Sequence, residues 1–114
     1  MLFESGKVTF FDRHKEYGFL TDAAGTQVYF RYKAGRIVID SALSDKPALS
    51  RNYRITRGAA VKSVDRPKIG ENLYFVREDG PRGTHVSLWC FAERYRHMEE
   101  KIRQRKVAKM EDKK

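Results

Sequence analysis

The chain has 114 residues, with 24 lysines and arginines against 15 aspartates and glutamates and a formal net charge of +9. A chain of this length forms one domain that needs no disulfide or metal staple, and its single cysteine, Cys90, excludes an internal disulfide and a zinc site of paired cysteines. Charged residues interrupt the apolar runs, so the sequence predicts no signal peptide and no membrane span, and we expect a cytoplasmic protein without a membrane partner. The positive charge favours a polyanionic partner, most often a nucleic acid.

The positive charge is concentrated in two segments of the chain. Residues 33–68 carry nine basic and three acidic side chains, and residues 92–114 carry nine basic and five acidic ones. The remainder carries six basic and seven acidic side chains. We therefore predict a nearly neutral domain over residues 1–91 that contains a basic insertion at residues 33–68, followed by a basic amphipathic helical tail over residues 92–114.

Five short runs rich in β-branched and aromatic residues, separated by turn-forming residues, predict strands joined by hairpins. The runs cover residues 7–11, 17–20, 28–32, 72–77 and 84–88. The 37 residues from position 33 to position 69 are too many for a plain loop. Within them we predict that residues 37–39 pair with residues 53–56, and that residues 41–50 form a turn or a short helix.

The end of the chain has helical spacing. From Trp89 onward, apolar residues recur at steps of three and four, which predicts an amphipathic helix. The apolar stripe consists of Leu88, Phe91, Tyr95, Met98 and Ile102. The stripe stops before Arg105, so we expect the last turns of the helix to fray. The oligomeric state stays open, because a stripe this short can pack against the strands or form a weak coiled coil.

Side chains alternate along a strand, so the second and third runs each present two faces. One face carries Leu20, Val28 and Phe30 and predicts an ordinary core. The opposite face carries three aromatic rings and a guanidinium, from Tyr17, Phe19, Tyr29 and Arg31. This set is either a second buried face, covered by the insertion or the helix, or a platform on which unpaired bases stack. Aromatic rings on a small sheet in a basic chain favour the platform.

Two motifs in this region resemble the nucleic-acid motifs of cold-shock domains. The first is GKVTFFD at residues 6–12 with KEYGFL at residues 15–20, and the second is VYFRY at residues 28–32. GENLYF at residues 70–75 and GPRG at residues 80–83 are similar to the fourth strand of that family and the turn before its fifth. The resemblance implies a mainly β fold, a five-stranded antiparallel OB-type barrel with an insertion between strands 3 and 4 and a C-terminal α-helix. It also implies binding of single-stranded RNA or DNA by an RNA chaperone or a regulator of transcription or translation.

The resemblance assigns nucleic-acid binding to aromatic and basic residues of the strands, and the insertion adds two candidates. The predicted binding residues are Lys7, Phe10, Lys15, Tyr17, Phe19, Tyr29, Arg31, Tyr32, Tyr53 and Arg54. Three departures from the family pattern are expected to weaken binding: Phe10 replaces a Trp, Thr9 a Lys and Glu16 a Gly. Arg31 replaces a His and adds a permanent charge that compensates in part.

Strict alternation conflicts with the family pattern at two of these positions. Val8 and Phe10 would share a face, so an outward Phe10 requires a β-bulge or strong coiling of the strand between them. Tyr32 would share a face with the core residue Phe30, although the family pattern places it among the binding residues.

The sequence carries no pattern that indicates catalysis or metal binding. Its three histidines are far apart, on three different predicted elements, without a cysteine at ligand spacing. Ser87 and His85 lie two apart on one strand, which disfavours a catalytic triad, and no phosphate-binding loop motif occurs. We therefore expect no enzyme, no cofactor, no metal and no small-molecule substrate. The alternative function is a protein-interaction OB domain that docks on an acidic partner or a ribonucleoprotein complex.

Overall fold

A computed structural model of the chain describes residues 3–41, 45–51, 53–54, 61–62 and 64–111. In chain order its strands are β1 (Glu4–Asp12), β2 (Tyr17–Asp22), β3 (Gln27–Arg31), β4 (Ile37–Ile39), β5 (Ala48–Ser50), β6 (Tyr53–Arg54), β7 (Val61–Lys62), β8 (Asn72–Gly80) and β9 (Gly83–Phe91). A 3-10 turn, Tyr32–Ala34, follows β3, and the helix α1 (Ala92–Glu111) follows β9.

Five of these strands close into a barrel in the order β1-β2-β3-β9-β8. Four neighbouring pairs are antiparallel, whereas β3 and β9 are parallel, with Tyr29 opposite His85. The predicted five-stranded barrel with a C-terminal helix is confirmed, and it is consistent with an OB-like fold. The prediction of a wholly antiparallel barrel is wrong, because strand directions cannot alternate all the way around a closed ring with an odd number of strands.

The barrel interior is filled by side chains from all five of its strands. The predicted core residues Leu20, Val28 and Phe30 are at most 1% exposed. Around them pack Val8, Leu73, Phe75, Val86 and Trp89. The Trp89 ring meets the Phe30 ring edge-on, and its Nε1 donates a hydrogen bond to the carbonyl oxygen of Arg31 (2.9 Å). This bond satisfies the polar atom of a fully buried indole, so the ring can lie in the core at little cost.

The strand β9 continues further than the helical spacing predicted. Trp89, Cys90 and Phe91 pair with β8, and α1 begins only at Ala92. The prediction of a helix from Trp89 is wrong because a strand buried on both faces is as continuously apolar as a buried helix. Cys90 lies buried at this junction, and burial raises the pKa of its thiol to about 12.

The apolar stripe of α1 packs against the barrel and the insertion. Ile102 is buried, and Tyr95 and Met98 are half-buried. The helical backbone continues to Glu111, beyond Arg105, where fraying was expected. Within the described part of the chain, no helix has the length and apolar character that crossing a membrane requires.

The insertion forms local pairings that differ from the predicted one. β4 pairs with β5, and β6 pairs with β7. The predicted pairing of residues 37–39 with residues 53–56 is therefore wrong, and so is a turn or helix over the whole of residues 41–50, where β5 forms. β4 pairs with β5, the nearer strand in sequence, because closing a shorter loop costs less chain entropy. Residues 42–44 and 55–56, which these predictions included, lie outside the described residues.

Candidate nucleic-acid interface

Four aromatic rings lie side by side on the outer surface of β1, β2 and β3, and we call them the aromatic face. They are Phe10, Tyr17, Phe19 and Tyr29, and the centroids of neighbouring rings lie 5.7–6.3 Å apart. Phe10 is 41% exposed, and the other three residues are half-buried. These rings therefore do not form a second buried core, and they offer a contiguous surface on which flat ligands can stack.

A β-bulge, one of the two distortions that the sequence left open, turns Phe10 outward. Val8 lies opposite Leu20, but Phe10 lies opposite Phe19, so Thr9 is the extra residue of β1. Val8 consequently points into the core at 1% exposure while Phe10 joins the aromatic face. The hydroxyl of Thr9 donates a hydrogen bond to the carbonyl oxygen of Phe19 (3.3 Å), which ties the bulge to β2.

The close approach of β1 and β2 beneath the aromatic face depends on Gly18. A Cβ at this position would lie 2.3 Å from the carbonyl oxygen of Phe10 and 2.9 Å from the ring of Phe30. Both contacts are shorter than van der Waals distance, so a larger residue would push the two strands apart. The absence of a side chain at Gly18 thus lets β1 and β2 approach closely enough for Phe10 to lie beside its neighbouring rings.

Arg31 places a positive charge at the edge of the aromatic face. It ends β3 directly opposite Tyr17, and its side chain is exposed. Its Nε donates a hydrogen bond to the hydroxyl of Tyr29 (3.3 Å), and its guanidinium carbon lies 5.9 Å from the centre of that ring. A guanidinium held against a ring in this way can contact a phosphate while the ring stacks on a base.

The two predicted lysines are both exposed. Lys7 lies on β1 just before the inward Val8, opposite Thr21. Lys15 lies in the β1–β2 turn, where its backbone N–H donates to the carboxylate of Asp12 (3.0 Å). This bond, with a second from the N–H of His14, holds the pKa of Asp12 below its ordinary value and fixes the turn that carries Lys15.

One predicted aromatic binding residue, Tyr32, does not lie on the aromatic face in the structure. Tyr32 begins the 3-10 turn and packs partly buried against the core, as strict alternation indicated, with its hydroxyl donating to the carbonyl oxygen of Val64. The guanidinium of Arg66 covers its ring at 5.1 Å. Tyr53 and Arg54 form β6, and their side chains lie outside the described part of the chain.

The carboxylate of Glu16 is paired rather than free beside the aromatic face. Glu16 lies in the β1–β2 turn and accepts a hydrogen bond from Nη2 of Arg66 (3.2 Å). Its backbone has φ 57°, a left-handed conformation that favours glycine, the residue that cold-shock domains have here. The insertion therefore supplies a counter-charge for the residue that departs most from the family pattern.

A groove of about 660 Å³ continues the aromatic face beyond Tyr29, and we call it the basic groove. Tyr29 and Arg31 form one wall, and the β8–β9 turn, with Arg82, forms another. The insertion contributes Lys33, Arg36 and Arg51. The sequence indicated that residues 33–68 were basic, but it gave no signal that Arg51 returns to the end of β3.

The basic residues of the helix follow a different pattern, because several of them pair with acidic residues of the insertion. Arg105 pairs with Asp40, Lys106 with Asp45 (2.8 Å), and Arg94 with Asp65. The pairs of Arg105 and Lys106 join the C-terminal half of α1 to the insertion. Part of the positive charge of the tail is thus neutralised within the chain.

The histidines and acidic residues of the described ranges form no metal site. His14, His85 and His97 lie on separate elements, and the described residues contain no group of three His, Cys, Asp or Glu side chains that could hold a metal ion. No protein-family model matches the chain, and no curated protein is significantly similar to it.

Proposed function

We propose that the protein binds single-stranded RNA or DNA by stacking bases on the aromatic face, in the manner of a cold-shock domain. The observation that carries the proposal is the contiguous set of Phe10, Tyr17, Phe19 and Tyr29, which the chain keeps at its surface although their burial would be favourable. An exposed patch of this kind marks a binding surface on a monomer.

The chemistry of the patch favours unpaired bases over other flat or apolar ligands. Every base has a π-face, and stacking on an aromatic side chain contributes about 1 to 3 kcal/mol per base with little sequence preference. Arg31 adds a charge at the edge of the rings, where a phosphate would lie next to a stacked base. These properties fit an RNA chaperone, or a regulator of transcription or translation that keeps RNA or DNA strands unpaired.

The motif resemblance supports the same function independently of the ring geometry. The two cold-shock-like motifs supply the four rings, the bulge of β1 and Gly18, so that resemblance and geometry agree on the same residues. The barrel order gives these motifs neighbouring strands, with β2 between β1 and β3.

Fluorescence anisotropy with a labelled oligonucleotide tests the proposal directly. We expect a single strand of about eight nucleotides to bind more tightly than a duplex of the same length at equal salt, because a stacking surface needs unpaired bases and the barrel offers no helix for a major groove. Equal or tighter binding of the duplex would contradict base stacking and indicate contacts to phosphates alone.

A further inference from the structure

The basic groove shares Tyr29 with the aromatic face, so the two surfaces are continuous. Tyr29 belongs to the cluster of rings and also lines the groove, and Arg31 lies between them. A strand whose bases stack across β1, β2 and β3 therefore leaves the face into the groove at the end of β3.

Several basic residues of the described ranges pair with a carboxylate, but those of the groove do not. Among the side chains that the structure describes, the basic members of ion pairs are Arg66, Arg77, Arg94, Arg103, Arg105 and Lys106. None of these six lines the groove. The groove residues Lys33, Arg51 and Arg82 form no ion pair within the described part of the chain, and Arg51 and Arg82 are exposed. Three positive charges without an ion pair among the described residues thus lie where the strand would leave the rings.

Two guanidiniums of the groove are close enough to repel each other. Arg36 is half-buried, and its Nη1 donates hydrogen bonds to the carbonyl oxygens of Ala34 (2.8 Å) and Gly35 (3.1 Å). Burial lowers the pKa of Arg36, and the positive charge of Arg51 lowers it further. An anion that lies against both groups would relieve this repulsion.

We propose that the basic groove holds the sugar–phosphate backbone of the strand whose bases stack on the aromatic face. The proposal rests on the proposed function and adds to it a second, phosphate-binding part of the same site. Arginine forms paired hydrogen bonds to phosphate oxygens, and three of the five basic residues of the groove are supplied by the insertion. Continuity with the rings favours a nucleic-acid backbone over an acidic peptide.

The length of the strand distinguishes the two parts of the site. A strand of about four nucleotides covers the rings, whereas one of about eight extends into the groove. We expect the double variant Arg51→Gln/Arg82→Gln to bind the longer strand more weakly, with a slope of log Kd against log salt that falls by about 0.7 for each phosphate that the variant no longer neutralises. Its affinity for the shorter strand should equal that of the parent protein.

A matched control removes the same charge elsewhere. Arg96 and Lys101 are exposed on α1, outside the groove lining and without an ion pair among the described side chains. The double variant Arg96→Gln/Lys101→Gln should leave the slope for the longer strand close to that of the parent. Equal losses of affinity in both double variants would show that net charge alone matters and would overturn the proposal, as would equal losses on both strand lengths. Thermal melts by circular dichroism establish that both variants are folded.

The remaining outcomes separate this proposal from the function on which it rests. If neither strand binds the parent protein, base stacking itself fails. If both strands bind and Phe19→Ala weakens binding, but Arg51→Gln/Arg82→Gln does not change binding of the longer strand, only the groove proposal fails. Polyglutamate that competes with the longer strand as well as an unlabelled strand of equal charge would assign the groove to acidic proteins instead.

Discussion

The guanidinium of Arg105 donates two hydrogen bonds to the carboxylate of Asp40, with Nη1 2.5 Å from Oδ2 and Nη2 3.2 Å from Oδ1. The residues are 65 positions apart, so this pair joins the C-terminal half of α1 to the end of β4. It fixes the insertion against the helix, together with the pair of Lys106 and Asp45. Geometry of this kind contributes more than an ordinary surface pair, because the bidentate contact is specific.

The first prediction is that Asp40→Asn loosens the insertion without unfolding the barrel. Hydrogen exchange of the amides of β4 should become faster, because the helix no longer holds the end of that strand, while exchange of the β2 amides stays unchanged. Glu100→Gln is the control, because it breaks the pair of Arg103 and Glu100 within one helix. Equal exchange of β4 in the parent and in Asp40→Asn would contradict this role of the pair.

The same pair predicts a dependence on pH. The hydrogen bond from Arg105 holds the pKa of Asp40 below its ordinary value of 3.8. A carboxyl group with a lowered pKa in the folded state stabilises that state above about pH 4, and this contribution is lost as the pH falls through the folded-state pKa. Protection of the β4 amides from hydrogen exchange should therefore fall when the parent protein is acidified. The fall should be smaller in Asp40→Asn, which lacks the carboxylate at every pH.

The second prediction concerns the rings of the aromatic face. Tyr17→Ala, Phe19→Ala and Tyr29→Ala should each weaken binding of a single strand by about 1 to 3 kcal/mol, because each removes a stacking surface. Their melting temperatures should change little compared with that of Phe30→Ala, whose buried ring contributes about 3 to 5 kcal/mol to stability. Ring variants that unfold as readily as Phe30→Ala, yet bind normally when folded, would place the rings in the core.

The third prediction is that Phe10→Trp tightens binding. The residue at this position is 41% exposed, so a larger indole can be added without a clash, and it offers a larger area to a base. Phe11→Trp is the control, because Phe11 packs against the core and stacks on Phe30, and there the extra volume should lower stability. Anisotropy titrations and thermal melts of both variants check the prediction, and weaker binding by Phe10→Trp would contradict it.

The fourth prediction separates backbone strain from charge at Glu16. Glu16→Gly removes the strain of the left-handed backbone, and we expect it to raise the free energy of unfolding by up to about 1 kcal/mol, less the contribution of the pair with Arg66. It also removes a negative charge and should tighten binding at low salt. Glu16→Gln removes only the charge, so it should tighten binding without the gain in stability. Denaturant titrations and binding at two salt concentrations distinguish the two variants, and equal stability of Glu16→Gly and Glu16→Gln would contradict a role for strain.

Features set by neighbouring residues could be predicted from the sequence. The alternation in β2 and β3 correctly separated the core residue Phe30 from the half-buried Tyr29 of the outer surface. The conflict between Val8 and Phe10 correctly indicated a distortion of β1, which the structure shows to be a bulge. These outcomes depend on short-range geometry, because each side chain's direction follows from the strand it lies on.

Features set by distant residues could not be predicted. The sequence does not encode locally that Arg51 meets the end of β3, that Asp40 pairs with Arg105, or that β4 prefers β5 to a later partner. The predicted tail begins at residue 92, where α1 begins, but the helical spacing was read from Trp89 onward. That spacing misleads because Trp89 is buried by the closing of the barrel and its apolar neighbours fit a strand and a helix equally well.

The barrel has one parallel pair of strands, β3 and β9, and we call the line along which they meet the seam. Tyr29 lies opposite His85 there, and the closure continues through the hydrogen bond of Trp89 to Arg31. The walls of the basic groove stand on both sides of this seam, with β3 on one side and the β8–β9 turn on the other. A strand bound in the groove would bridge the two strands, so ligand binding and closure of the barrel would be linked. Bound nucleic acid would therefore make opening of the barrel at this point less favourable.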